Sequence, residues 1–165
     1  MSTEIKQDGS GWLCAAVVVL ACYCSLPETL VYHQTRLLRA PIEPSRAVIE
    51  AEVDRAAKAY KLPPRLLHAL VKVESGYKAK AVSKVGATGL SQVMPYNAKR
   101  CGLRNAGELF DPVSNLRCGA LILRQEIDRV GNLRDALSVY NCGKVKCAPG
   151  QKYASTVLSL FTGKG

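Results

Sequence analysis

Apolar positions recur every three or four residues along most of the chain after residue 44, which is the spacing of helices that bury one face. Ser45, Asp111 and Asn132 stand where they can cap such helices. The predicted helices cover about residues 45–60, 62–76, 111–131, 132–141 and 150–161. No run of alternating apolar residues favours a substantial sheet. The pattern therefore predicts a mainly α domain.

The first part of the chain follows a different pattern. Trp12–Leu26 is apolar and uncharged, shorter than the roughly 20 residues that span a bilayer and suited to the core of a signal peptide. We expect residues 1–26 to be a signal peptide or membrane anchor and residues 27–44 to be a linker to a domain at 45–163. Three fates stay open: cleavage, retention as an inner-membrane anchor, and lipidation at Cys22. Each predicts a periplasmic or secreted domain with membrane contact only through this segment.

The net charge of +10 lies entirely after residue 40, because residues 1–40 carry three basic and three acidic side chains. Excess positive charge attracts polyanions, which include nucleic acids and anionic cell-wall polymers. The sequence has no signature of a nucleic-acid-binding domain, and few aromatic residues alternate with its basic ones. We therefore expect no nucleic-acid partner.

Four of the seven cysteines lie in the predicted domain, and an even number in an exported domain suggests two disulfides. Cys142 and Cys147 bracket the short stretch CGKVKC, so we expect them to pair and Cys101 to pair with Cys118. The other two connectivities stay open. No cysteine has a metal-ligand spacing or a histidine near it in sequence, so we expect neither a metal nor another cofactor.

Glu74 is the only carboxylate between Lys72 and Arg104. It follows Val71 and Leu70 by three and four residues, so it shares the apolar face of the second predicted helix. It also lies at the C-terminal end of that helix, where the peptide dipoles make the potential negative. Burial and this potential both raise the pKa of a carboxyl group. An acid that stays protonated near neutral pH can protonate a glycosidic oxygen.

The loop after Glu74 is rich in glycine and in neutral hydrogen-bonding side chains suited to sugar hydroxyl and acetamido groups. These side chains are Ser83, Thr88, Ser91 and Gln92. Most glycosidases use a second carboxylate, but the candidates that follow the loop, Glu108 and Asp111, lie in a short turn and at a helix cap. The sequence thus offers an acid without an obvious nucleophile, which substrate-assisted chemistry does not need.

The stretches ESGYKAKAVSKVGATGLSQVMP, NLRCGALIL, VYNCG and YASTVL lie in this order within residues 45–162. Together they resemble the soluble-lytic-transglycosylase-like catalytic domain, which is related to goose-type lysozyme. The resemblance implies a compact lysozyme-like helical fold and peptidoglycan glycan strands as substrate. It implies cleavage of the β-1,4 bond between N-acetylmuramic acid and N-acetylglucosamine, with 1,6-anhydro ends formed without water.

The resemblance also implies site residues. Glu74 corresponds to the catalytic acid and base of the family, and Tyr140 to a tyrosine that faces it. The implied substrate-binding residues are Ser75, Ser83, Gln92, Met94, Tyr140, Asn141 and Tyr153. Asn115 and Gly119 correspond to a structural helix signature.

Val139 and Cys142 stand where the family commonly has alanine around its Tyr-Asn pair. Such cysteines resemble those of small transglycosylases of secretion and conjugation machines, which implies a machine of that kind as a partner. Two alternatives stay open: a hydrolytic muramidase on the same fold, and a non-catalytic wall-binding scaffold subunit.

Overall fold

The computed structural model describes residues 43–163, and the predicted leader and most of the predicted linker lie outside the described residues. The described part contains five α-helices and three short 3₁₀ helices. The α-helices are α1 Arg46–Ala59, α2 Pro64–Ser75, α3 Pro112–Val130, α4 Leu133–Cys142 and α5 Ala148–Thr162. The 3₁₀ helices are Pro95–Asn97, Lys99–Cys101 and Ala106–Phe110.

Extended structure within residues 43–163 is confined to two isolated bridges, Val82–Thr88 and Thr88–Val93. The prediction of a mainly α domain is therefore confirmed. No helix of this region is both long enough and apolar enough to cross a membrane.

Side-chain caps set the beginnings of three helices, as the sequence predicted. The side chains of Ser45, Asp111 and Asn132 each accept a backbone hydrogen bond from the first turn of α1, α3 and α4. Helix α5 begins at Ala148, earlier than the predicted start at about Gly150. The Cys147 sulfur accepts a hydrogen bond from the Gly150 amide there, so a disulfide-bonded cysteine acts as the cap.

The main core surrounds α2, whose side chains Leu66, Leu67, Leu70 and Val71 are almost completely buried. Helices α1, α3, α4 and α5 supply most of the other core residues, and the loops on either side of α2 add Leu62, Tyr77, Ala79 and Leu90. Val48 is an apolar residue of α1 next to the buried Ile49, but it is 49% exposed. It shares a helix face with Glu52 and Arg55, which form an ion pair at the surface.

Residues 95–110, which contain the three 3₁₀ helices and are called the 3₁₀ segment below, pack against α3 in a second, smaller core. It contains Val93, Ala98, Leu109, Cys118 and Ile122. The disulfide Cys101–Cys118 crosses the same contact. The other disulfide, Cys142–Cys147, closes the connection between α4 and α5. Both disulfides have the pairing expected from the sequence.

Candidate active site

Glu74 lies in the last turn of α2, which ends at Gly76 in a left-handed conformation (φ +57°). The Ser75 hydroxyl donates a hydrogen bond to the Val71 carbonyl, at 3.3 Å, and accepts one from the Tyr77 amide, at 3.1 Å. Ser75 therefore stabilises the helix end that carries Glu74. The turn that follows α2 also contacts this helix, because the Tyr77 hydroxyl lies 2.9 Å from Nδ1 of His68 in α2.

The carboxyl group of Glu74 is half-buried, and its hydrogen-bond partner comes from α5. The Tyr153 hydroxyl donates a hydrogen bond to Glu74 Oε1 at 2.6 Å. Burial raises the pKa of Glu74 from 4.5 to about 7, against the opposing effect of the Tyr153 hydrogen bond. A large fraction of the molecules thus carries a neutral carboxylic acid here near neutral pH.

Tyr140, which the resemblance implied to face Glu74, makes its hydrogen bond to the loop that follows α2. Its hydroxyl donates a hydrogen bond to the Ser91 carbonyl at 2.7 Å. The pKa values of Tyr140 and Tyr153 are both raised, first by burial and then by the negative charge that Glu74 can carry. Tyr140 is thus within electrostatic reach of Glu74, while the direct hydrogen bond belongs to Tyr153.

The buried side chain of Asn115 in α3 organises the loop between α2 and the 3₁₀ segment. Its Nδ2 donates to the carbonyls of Thr88 (2.8 Å) and Leu109 (2.9 Å), and its Oδ1 accepts from the Ser91 amide (2.8 Å). Gly89 packs directly against it at φ +79°, where an added Cβ would meet Asn115 Nδ2 at 2.2 Å. These hydrogen bonds and the close approach of Gly89 therefore fix the conformation of the loop around the Asn115 amide.

Two of the predicted substrate-binding side chains also stabilise this loop. The Ser83 hydroxyl accepts a hydrogen bond from the Ala87 amide at 3.0 Å. Gln92 adopts φ +46°, and its Nε2 donates to the carbonyls of Gly89 (2.9 Å) and Ala81 (3.2 Å). These contacts give Ser83 and Gln92 a positioning role in the free protein.

A surface pocket of about 510 Å³ lies between the 3₁₀ segment, α3 and the end of α4. Four predicted substrate-binding residues line it: Gln92, Met94, Tyr140 and Asn141. Glu74, Ser75, Ser83 and Tyr153 are not among its lining residues. Tyr140 connects the two groups, since it lines the pocket and is electrostatically coupled to Glu74.

Sequence reasoning missed a charged cluster in the same pocket. Glu126 of α3 is 7% exposed, and its Oε1 accepts a hydrogen bond from Arg100 Nη2 at 3.0 Å. Its Oε2 accepts from Arg129 Nε at 2.8 Å. Burial opposes the ionisation of Glu126, but the two arginines outweigh it and lower its pKa. Glu126 and Arg129 show helical spacing in the sequence, whereas Arg100 is 26 positions from Glu126 and gave no signal.

Within residues 43–163, no group of three or more His, Cys, Asp or Glu side chains could hold a metal ion. The site combines Glu74, whose pKa is raised, with the side chains of Tyr140 and Tyr153. Beside them lie the loop that the Asn115 amide holds and the pocket that contains Arg100 and Arg129.

The Transglycosylase SLT domain family matches residues 52–157, which is more than half of the chain. The chain therefore belongs to the Transglycosylase SLT domain family.

Two relatives of similar sequence agree with this assignment. A transglycosylase of Enterobacteria phage PRD1 is 37% identical over 121 residues, covering 68% of this chain and 44% of the phage protein. The soluble lytic murein transglycosylase of Escherichia coli K12 is 33% identical over 90 residues, covering 50% of this chain and 14% of that protein. The chain thus spans less than half of the length of either relative.

The fold also matches a solved structure. An inactive mutant of the lytic transglycosylase Slt from Pseudomonas aeruginosa superimposes with a TM-score of 0.61 and 27% identity, over 67% of this chain and 23% of that one. The lysozyme-like helical fold expected from the sequence is confirmed.

Proposed function

We propose that the chain is a peptidoglycan lytic transglycosylase. The observation that carries the proposal is Glu74, a half-buried acid with a pKa of about 7 whose proton-bearing state persists near neutral pH. The names of the relatives, a phage transglycosylase and a soluble lytic murein transglycosylase, support the same activity.

In the first step, the neutral carboxyl group of Glu74 donates its proton to the oxygen of the β-1,4 bond between N-acetylmuramic acid and N-acetylglucosamine. The bond between C1 of the muramic acid and that oxygen breaks as the proton arrives. The carbonyl oxygen of the substrate's own acetamido group stabilises the positive charge on C1. Tyr153 holds the carboxyl group in place through its 2.6 Å hydrogen bond.

In the second step, the C6 hydroxyl of the same muramic acid attacks C1. Glu74 is now a carboxylate and accepts the hydroxyl proton, so the acid is regenerated. The product is a 1,6-anhydro sugar, and no water is consumed. A pKa near 7 suits a group that must both give and take a proton at neutral pH.

A single carboxylate suffices for this sequence of steps, and the surroundings of Glu74 fit that requirement. Among the described residues, burial and Tyr153 account for the pKa shift of Glu74, and no second carboxylate contributes to it. Glu108 is paired with Arg104, and Asp111 caps α3. Both thus have structural partners, and neither perturbs the pKa of Glu74 as a second carboxylate close to it would.

The remaining predicted site residues divide into two roles in this proposal. Gln92, Met94, Tyr140 and Asn141 line the pocket and would contact the glycan. Ser75 and Ser83 act through the backbone, because their hydroxyls are already bonded to the helix end and the loop that surround Glu74.

The cellular setting follows from the proposed substrate. A peptidoglycan enzyme must leave the cytoplasm, and the two disulfides form in an oxidising compartment. We therefore propose export through residues 1–26, with 27–44 as a linker, to the periplasm or beyond. We also propose a secretion or conjugation machine as partner, because the Cys142–Cys147 loop resembles that of small transglycosylases of such machines.

The proposal is tested by mass spectrometry of the products released from purified peptidoglycan by the full chain. We expect 1,6-anhydro-muropeptides from the unaltered protein and none from Glu74→Gln. Glu108→Gln is the matched control, because Glu108 is paired with Arg104 and does not contribute to the pKa shift of Glu74, so the products should be unchanged. Reducing-end muropeptides would instead indicate a hydrolytic muramidase. Absence of any release by the full chain would favour a non-catalytic wall-binding subunit.

A further inference from the structure

A chain of three polar side chains joins α1 to the turn that follows the candidate acid. Asp54 Oδ1 of α1 lies 3.0 Å from His68 Nε2 of α2. On the other side of the same ring, His68 Nδ1 lies 2.9 Å from the Tyr77 hydroxyl. The proposed reaction uses none of these three side chains, so their arrangement calls for a separate explanation.

The carboxylate at one end of the chain sets the direction of its hydrogen bonds. A carboxylate only accepts hydrogen bonds, so the proton of the His68 ring lies on Nε2 and is donated to Asp54. Nδ1 of the neutral ring is then an acceptor, and the Tyr77 hydroxyl donates to it. The same hydroxyl lies 3.2 Å from the backbone carbonyl of His68. His68 thus contacts the end of the Tyr77 side chain through both its ring and its backbone.

Helix α1 also contacts the Tyr77 ring directly. The Arg46 guanidinium group lies 3.3 Å from the ring centroid, and Arg46 Nε donates a hydrogen bond to Glu50 at 2.7 Å. The charged and titratable groups around Tyr77 are thus Arg46, Glu50 and Asp54 of α1 and His68 of α2. Only 9% of Tyr77 is exposed, so its side chain is enclosed between the two helices.

The backbone of Tyr77 requires this support. Tyr77 has φ +67° and follows Gly76 at φ +57°, so two consecutive left-handed residues end α2. This conformation is strained for a residue with a Cβ, and such strain persists only where surrounding contacts maintain it. The Tyr77 amide donates a hydrogen bond to the hydroxyl of Ser75, the residue directly after Glu74. The side-chain contacts of Tyr77 therefore stabilise the turn that ends α2 beside the acid.

Helix α2 is held from two directions near this end. His68 precedes Glu74 by six residues, which places the two side chains roughly 120° apart around the helix. His68 contacts α1, whereas Glu74 accepts the 2.6 Å hydrogen bond from Tyr153 of α5. Helix ends fray when the contacts beyond them are lost. Release of the turn should therefore cost Glu74 both its burial and its alignment with Tyr153.

We infer that Asp54, His68 and Tyr77 are positioning residues that hold the end of α2 so that the carboxyl group of Glu74 stays buried beside Tyr153. None of the three lines the surface pocket, and they act through the backbone of residues 75–77. The consequence for catalysis rests on the proposed function, whereas the effect on the ionisation of Glu74 does not.

The first test compares the pH–rate profiles of the full chain and of Tyr77→Phe on soluble peptidoglycan strands. The substitution keeps the ring beside Arg46 and removes only the hydroxyl. We expect kcat to fall roughly five- to tenfold and KM to stay within about twofold, because the acid is misplaced while the pocket is unchanged. Burial affects the pKa of Glu74 more than the Tyr153 hydrogen bond does. Partial exposure should therefore lower this pKa and move the alkaline limb to lower pH.

Tyr60→Phe is the matched control, because Tyr60 also packs against the main core but its hydroxyl makes no hydrogen bond to the described residues. It should leave kcat and the alkaline limb unchanged. His68→Asn keeps an acceptor close to the position of Nδ1 and should retain part of the kcat that His68→Leu loses. An unmoved limb in Tyr77→Phe would overturn the inference even where kcat falls, since loss of stability alone lowers the amount of active enzyme without moving the limb.

Carbon-13 NMR of the Glu74 carboxyl group separates this inference from the proposed function. The full chain should titrate with a pKa of about 7, and Tyr77→Phe and His68→Leu should move this pKa toward 4.5. His68 is partly exposed, so His68→Leu provides the measurement if Tyr77→Phe does not fold. If the full chain forms no anhydro products, the proposed function fails, but such a shift would still support the positioning role. An unchanged pKa would refute that role whether or not the chain is an enzyme.

Discussion

Ionisation of Glu74 should lower the free energy of unfolding, so Glu74→Gln should become more stable relative to the unaltered protein as the pH rises. The variant keeps the shape of the side chain and an oxygen that can accept the Tyr153 hydrogen bond. It removes the proton equilibrium. Its effect on the free energy of unfolding therefore isolates the cost of ionising a half-buried carboxyl group.

The sign follows from the pKa, which is raised from 4.5 to about 7 in the folded protein. Between these pH values, the folded chain holds a proton that the unfolded chain has released. Stability that comes from this group is therefore present below pH 4.5 and is lost as the pH rises through about 7. At about 1.4 kcal/mol per pH unit, the full loss is at most about 3.5 kcal/mol.

Urea unfolding of the full chain and of Glu74→Gln should be measured at pH values from below 4.5 to above 7. Relative to the unaltered protein, the variant should become more stable by up to about 3.5 kcal/mol as the pH rises through this window. A difference between the two proteins that does not change with pH would refute the argument that burial raises the pKa of Glu74.

Glu126→Gln provides an internal contrast. Its pKa is lowered by Arg100 and Arg129, so its ionised form stabilises the fold above its ordinary pKa. The substitution should lower the free energy of unfolding by about 1–2 kcal/mol at neutral pH, because both arginines lose their charged partner. This loss should shrink as the pH falls, because protonation removes the same charge from Glu126 in the unaltered protein. The two glutamates thus predict opposite slopes in one assay.

Two further substitutions test the site and its scaffold. Tyr153→Phe removes the hydrogen bond that lowers the pKa of Glu74, so kcat/KM should fall roughly tenfold and its alkaline limb should move to higher pH; an unmoved limb in the pH–rate profile would contradict this role. Gly89→Ala places a Cβ against Asn115 at φ +79° and should cost about 3 kcal/mol in urea unfolding. Gly86→Ala, at φ +87° in the same loop but with no neighbour within 4 Å, should cost only about 1 kcal/mol, and equal costs would exclude the steric argument.

The helices were predictable because their signals are local. A capping residue such as Ser45 or Asp111 acts within one turn, and the apolar spacing of α2 describes a face of a single helix. The position of Glu74 on that face was visible for the same reason. The environment of Glu74 was less predictable, because its partner Tyr153 is 79 positions away on another helix.

Residues whose role depends on distant contacts were identified only in part. Asn115 matched a structural signature, but the sequence did not indicate that its amide bonds to Thr88, Ser91 and Leu109. The pairing of Arg100 with Glu126 had no local signal at all. The partners of long polar side chains depend on how the whole domain packs. The spacing of residue types along the sequence does not contain this information.

The central claim is that Glu74 acts as both acid and base without water as a reactant. Digestion of peptidoglycan by the full chain in water enriched in oxygen-18 tests it most directly. The account predicts muramic acid ends that contain no heavy oxygen and that lack one molecule of water relative to a reducing end. Incorporation of one oxygen-18 atom per new end would mean that water attacks C1, and it would contradict the account.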